Sequence, residues 1–197
     1  MPTAPSDYQA RYPIDFRDIE PNVRQIVTQL YADDGGKSRG ILYLPPNRDP
    51  RTVIIMAHPR GDFAQHYTIP YWVEAGFAAF AQNTRYINND SMMLHENLLL
   101  DIAAGIRFLR DERGFDHIVM LGNSGGGSLF AYYDAQARTP AGSRIASPPG
   151  GGPPDLNQYD LPCADGFILL AAHPGQGMVL MGSLDAAVVD ESDPFAS

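Results

Sequence analysis

His117-Ile118-Val119-Met120-Leu121-Gly122-Asn123-Ser124-Gly125-Gly126 joins a short apolar run to a serine flanked by glycines. The apolar half reads as a strand buried on both faces of a parallel sheet. Ser124 to Ala137 reads as the helix that follows it. Gly122 to Gly126 fits G-x-S-x-G, a motif that needs a strand-to-helix turn and holds its serine in a strained conformation above the sheet edge. Glycines two residues to either side let strand and helix approach with no Cβ between them. Ser124 is therefore the candidate nucleophile, with Asn123 beside it in the expected pocket. The alternative is a glycine-rich connector with an idle serine.

Acyl transfer also needs donors for the developing oxyanion, each worth roughly 3–4 kcal/mol. The Gly125 N–H, directly after the serine, is the first candidate. The second is sought on the loop after an earlier strand. Thr52-Val53-Ile54-Ile55-Met56-Ala57 is another continuous apolar run, and His58-Pro59-Arg60-Gly61 follows it. Pro59 has no N–H, which leaves Arg60 as the expected donor and Gly61 as the fallback. His58 is expected to hold the loop rather than act as a base.

Strand and helix signals alternate along the rest of the chain. Val23 to Tyr31 and Gly40 to Leu44 read as a hairpin across the Asp33-Asp34-Gly35-Gly36 turn. A helix is expected from about His66 to Ala75, and a buried strand over Phe77 to Ala81. A long helix is expected over Ser91 to Arg113, with Leu94, Leu98, Ile102, Ile106 and Leu109 on one face and Gly114 closing it. Gly166 to Ala172 reads as a fourth buried parallel strand. Residues 1–21 read as an irregular lead-in. Residues 139–162 read as a loop excursion whose Pro/Gly-rich centre holds no regular structure. The sum is an α/β three-layer sandwich, mostly parallel, behind an N-terminal antiparallel hairpin.

Composition narrows the function classes. The chain has 197 residues, 44% hydrophobic and 19% charged, which fits one domain with a sizeable core. Its net charge of −9 offers no basic stripe for nucleic acid. No run approaches the roughly 18 apolar residues of a membrane span, so a cytoplasmic protein is the expectation. A single cysteine, Cys163, allows no disulfide framework and is expected to be buried. No metal spacing and no phosphate-binding loop is present, so no cofactor is called for. Arg60-Gly61-Asp62 also spells an adhesion tripeptide, but the loop role accounts for it better. Arg85 follows a strand and could line the pocket mouth, although such an arginine is more often ion-paired. Asp101 and Glu112 read as solvated helix face.

From the hairpin through Ala57-His58-Pro59-Arg60-Gly61 to the Gly122–Gly126 turn, the chain resembles the α/β-hydrolase superfamily, in its esterase and dienelactone-hydrolase-like branches. The resemblance covers residues 23 to 173. It implies a serine, acid and histidine triad acting on a small-molecule acyl ester or related bond, with the acid and histidine on later loops. Only His173 follows Ser124; it comes too early for the family's base and is expected to line the pocket, as is His58, while Asp185 and Asp190 are candidates for the acid. The base, and two further strands, are therefore expected from a C-terminal piece or a second chain, with residues 190–197 as a possible cleavage region. Two other readings stand beside this one: a non-catalytic binding protein of the same fold, and an unusual Ser124–His173 dyad.

Overall fold

A computed structural model describes residues 17–89, 91–183 and 192–193 of the protein. The expected lead-in over residues 1–21 lies mostly outside these, as do Asp185, Asp190 and most of residues 190–197. The described elements run β1 (Arg24–Tyr31), β2 (Lys37–Leu44), β3 (Thr52–His58), α1 (Ile69–Ala75), β4 (Ala78–Asn83), α2 (His95–Arg107), β5 (His117–Asn123), α3 (Gly125–Arg138), β6 (Gly166–Leu170) and α4 (Gln176–Ser183). A π-helical turn, Phe108–Glu112, extends α2, and a 3-10 turn, Leu156–Gln158, lies in the long loop.

The six strands form one sheet in the order β1-β2-β4-β3-β5-β6. The hairpin pairs β1 with β2 antiparallel, and β2 joins β4 antiparallel. From β4 to β6 every pairing is parallel. Gly35 sits at φ +83 in the hairpin turn, a left-handed conformation that glycine adopts without a Cβ penalty. Val53 to Ala57 and Ala78 to Ala81 are all within 3% of full burial, whereas Phe77, read as the start of the second run, lies before β4 and is 38% exposed. Such strands need cover on both faces. One face packs Leu98, Ile102 and Ile106 of α2 and Leu129, Phe130 and Tyr133 of α3 against Ile55, Phe80 and Met120. The other packs Ile69 and Val73 of α1 against Tyr43, Ile54, Met56 and Leu121. The result is the expected three-layer sandwich.

Several boundaries and burials differ from the sequence reading. Helix α1 begins at Ile69, not His66, because Pro70 suits only the first helical turn; His66 is left in the turn before it. Helix α2 begins at His95, with Leu94 extended at its N-cap. Cys163 is exposed, not buried. It follows Pro162, whose carbonyl accepts from the Tyr133 hydroxyl, and its neighbours Leu161 and Ala164 take the buried places instead. The 139–162 excursion is tied down at its base, where the Arg144 guanidinium donates to the carbonyls of Thr139 and Tyr159.

The largest difference is β6. Its sequence promised burial on both faces, yet Phe167 and Leu169 are 38% and 61% exposed. Among the described residues β6 pairs only with β5. Helix α4 beyond it also exposes Met178, Val179 and Met181. No described helix is long and apolar enough to cross a membrane.

Candidate active site at the β5–α3 turn

Because β3 to β6 run parallel, their C-terminal ends share one edge: His58 pairs with Asn83, and Asn123 with Leu170. Ser124 stands just beyond this edge at φ 53, ψ −123. These are the angles of the first central residue of a type II′ turn, a place normally left to glycine. A serine there is strained by about 1–3 kcal/mol. The surroundings enforce it. The Ser124 N–H donates to the Leu170 carbonyl at 3.2 Å, and the Ser124 carbonyl accepts from Gly127 at 3.1 Å and His173 at 3.4 Å. Ser124 is exposed while Gly125, Gly126 and Gly127 behind it are buried. Gly125 opens α3, so its N–H has no acceptor within the helix and faces the same place as the positive helix end.

The loop after β3 is organised around His58. Its Nδ1 accepts the Gly61 N–H at 2.8 Å and the Arg60 N–H at 3.3 Å. Thus His58 does hold the loop, and the two amides sought as oxyanion donors are turned onto the imidazole in this conformation. Accepting at Nδ1 leaves the neutral ring protonated at Nε2. That nitrogen reaches the elbow: a Cβ placed on Gly125 would lie 2.9 Å from His58 Nε2 and 3.4 Å from His173 Nε2. Two imidazoles therefore converge over the residue after the serine. His173 is fixed by its backbone bond to Ser124 and by the Gly175 N–H, which donates to its Nδ1 at 3.2 Å.

A third imidazole was missed in the sequence. His66 is 6% exposed, and its Nε2 meets Asn123 Oδ1 at 3.0 Å while Thr68 Oγ1 meets Nδ1 at 2.8 Å. Asn123 in turn donates to the Leu170 carbonyl at 2.8 Å, so His66 braces the residue before the serine. Burial pushes the His66 imidazole below its usual pKa, against the hydrogen bond to Asn123. The neutral ring suits Nδ1, which also accepts the Thr68 N–H. His66 and Asn123 share a cavity of about 760 Å³ with Asp62, Phe63, Gln65 and Tyr67. No sequence signal separated His66 from the other histidines, because its partner lies 57 residues away. His95 opens α2, and His117 opens β5 at the far end of the strand from Ser124.

No family model matches the chain, and no curated protein matches it. Solved structures do. A hypothetical protein of Pseudomonas aeruginosa superposes over 68% of this chain and 44% of its own, with a TM-score of 0.52 at 18% identity. A bacterial heroin esterase aligns over 66% of this chain and 45% of its own, with a TM-score of 0.49 at 23% identity. A bacterial brefeldin A esterase aligns over 64% and 39%, with a TM-score of 0.47 at 15% identity. The chain thus spans less than half the length of each. The sheet order, parallel from β4 to β6 behind an antiparallel hairpin, and the strained serine at the end of β5 decide the architecture. The fold is that of the α/β-hydrolases.

Within the α/β-hydrolase fold, Arg85 serves a different purpose from the pocket mouth considered for it. Its guanidinium donates to Asp101 Oδ1 at 2.8 and 2.9 Å and to Asp34 Oδ1 at 2.8 Å, and its N–H donates to Asp101 Oδ2. Asp101 is fully buried rather than solvated on its helix. Helical spacing from Leu98 to Ile102 could not reveal this, because the demand comes from a guanidinium on another element. Burial disfavours the Arg85 charge, but the two carboxylates more than offset it and hold its pKa above the usual range. The network ties the hairpin turn to β4 and α2. Asp101→Ala would leave the Arg85 Nε–H and backbone N–H without their acceptor while Asp34 still pairs the guanidinium, and should cost about 1–3 kcal/mol. Urea unfolding measures it; a loss below about 0.5 kcal/mol, the level of a surface change, would contradict this role. Among the described residues, no group of three or more His, Cys, Asp or Glu could hold a metal.

Proposed function

We propose that the protein is a serine hydrolase acting on a small-molecule ester or related acyl bond, with Ser124 as nucleophile. The observation that carries this reading is the backbone of Ser124: a non-glycine residue kept at φ 53, exposed, between buried glycines. Strain of this kind persists where function uses it. In the reaction, Ser124 Oγ would bond to the carbonyl carbon, and the carbonyl π pair would move onto oxygen beside the Gly125 N–H. The hydroxyl proton must pass to an imidazole base. The oxyanion pair then re-forms the carbonyl as the bond to the alcohol breaks, and the alcohol leaves with the proton from the imidazole. Water, giving a proton to the same base, attacks the acyl-serine and releases the acid, and Ser124 Oγ takes the proton back.

None of the described histidines suits the base. His58 and His173 both accept at Nδ1, which leaves Nε2, the atom facing the elbow, carrying a proton. A base must present the bare nitrogen, so this tautomer weighs against the Ser124–His173 dyad. We assign the base, and the acid that orients it, to a completing segment, whether a continuation of this chain or a separate one. The apolar edge supports that assignment. Phe167, Leu169, Met178 and Met181 are exposed, and an apolar strand edge left open invites aggregation.

A fluorophosphonate probe tests the nucleophile: labelling at Ser124 is expected in the intact protein, whereas a non-catalytic binding protein would stay unlabelled. Denaturing mass spectrometry of the native, active preparation tests the completing segment. Either one chain heavier than this sequence or a second, histidine-bearing chain is expected. Full activity from a single species of this sequence's mass would return the base to the histidines described above.

A further inference from the structure

We propose that His173 Nε2–H is the second oxyanion donor, working with the Gly125 N–H. The inference rests on Ser124 being the nucleophile and assigns a side chain to a task expected of the loop backbone. Three observations lead to it. First, the amides of Arg60 and Gly61 point at His58 Nδ1 rather than at the elbow. Second, His173 is tied to the elbow itself, since its backbone N–H donates to the Ser124 carbonyl. Third, the Gly175 N–H donates to His173 Nδ1 at 3.2 Å, which places the ring proton on Nε2. A Cβ on Gly125, the residue whose N–H is the first donor, would lie 3.4 Å from His173 Nε2 and 2.9 Å from His58 Nε2. His58 is engaged with the β3 loop amides, and His173 with the Ser124 backbone. A proton-bearing nitrogen at that spot can give a hydrogen bond but cannot take one up.

The chemistry requires nothing further from His173. As Oγ adds to the carbonyl, negative charge gathers on the carbonyl oxygen, and the serine proton leaves to the separate base. His173 keeps its own proton throughout and donates only a hydrogen bond. Donors fixed before the reaction stabilise the transition state because they need no reorganisation when the charge appears. Both anchors of His173 are backbone groups of the elbow and of the adjacent turn, so its position is set before substrate arrives.

The test uses the intact protein, 4-nitrophenyl butyrate as substrate and phenylboronic acid as the tetrahedral mimic. His173→Leu should lower kcat by about 10²–10³-fold, the effect of one oxyanion donor, with KM little changed. Boronate affinity should fall with kcat, and fluorophosphonate should still label Ser124. His173→Gln, which offers an amide N–H, should recover part of the loss. In the unsubstituted protein, nitrogen-15 NMR should show His173 protonated at Nε2, with that proton shifting downfield when the boronate binds. This measurement does not depend on either variant folding. Wild-type kcat in His173→Leu, or an unmoved Nε2 proton, would overturn the proposal and leave Ser124 as nucleophile. Loss of about 10⁴-fold or more in both variants would make His173 the base instead. An unlabelled wild-type protein would remove the nucleophile reading, and this one with it.

Discussion

Ser124→Ala is expected to abolish ester hydrolysis, lowering turnover on the order of 10⁶-fold, while the protein stays folded. The bonds that hold the turn are backbone bonds, from Ser124 to Leu170, Gly127 and His173, and alanine keeps all of them. Ser124→Gly makes a sharper companion. Glycine accepts φ 53 without a Cβ penalty, so relief of about 1–3 kcal/mol is set against roughly 1 kcal/mol of added backbone entropy. The glycine variant should therefore be as stable as the alanine variant or more so, and equally inactive. A site that gains stability when its nucleophile is removed is the mark of strain kept for function. Activity on small aryl esters and urea unfolding of the three proteins decide it. More than a few per cent of wild-type turnover in Ser124→Ala would end the nucleophile assignment.

What the sequence disclosed and what it hid divide along a physical line. Val53–Ala57 and Ile118–Leu121 were legible because a strand covered on both faces is apolar at successive positions. The elbow was legible because its glycines are demanded by local geometry. Contacts set by distant partners left no such mark. His66 bonds to Asn123, and Arg85 to Asp34 and Asp101, across separations of 16 to 57 residues. Asp101 has the spacing of a solvated helix position and only the folded chain brings a guanidinium to it. The loop role expected of His58 carries no sign of its partners in the sequence: the Arg60 and Gly61 amides, the expected donors, are turned onto its Nδ1. For β6 the signal was present and its fulfilment is not. Gly166–Leu170 has the composition of a covered strand, and the described residues cover one edge of it.

Gly126→Val is expected to prevent folding, and the reason is a contact between two backbones. A Cβ on Gly126 would lie 2.4 Å from the Ala57 carbonyl oxygen, well inside any tolerable approach. A Cβ on Gly122 would lie 2.5 Å from the Gly127 Cα, so the turn is equally tight on its other side. Neither obstacle is a flexible side chain that could swing away. Relief would require α3 to lift off β3, and α3 carries Leu129, Phe130 and Tyr133, all within 1% of full burial. Overpacking a core costs about 1–3 kcal/mol when side chains can adjust. Here whole elements must move, and an ordinary domain has only about 5–15 kcal/mol to lose. Gly150→Val makes the control, since a Cβ there meets nothing within 4 Å, and its effect should stay within about 0.5 kcal/mol. Circular dichroism and soluble yield compare the two variants. A folded, soluble Gly126→Val protein would mean that helix and strand do not meet this closely at the serine, and the exposed, strained Ser124 would lose the support that the turn is taken to give it.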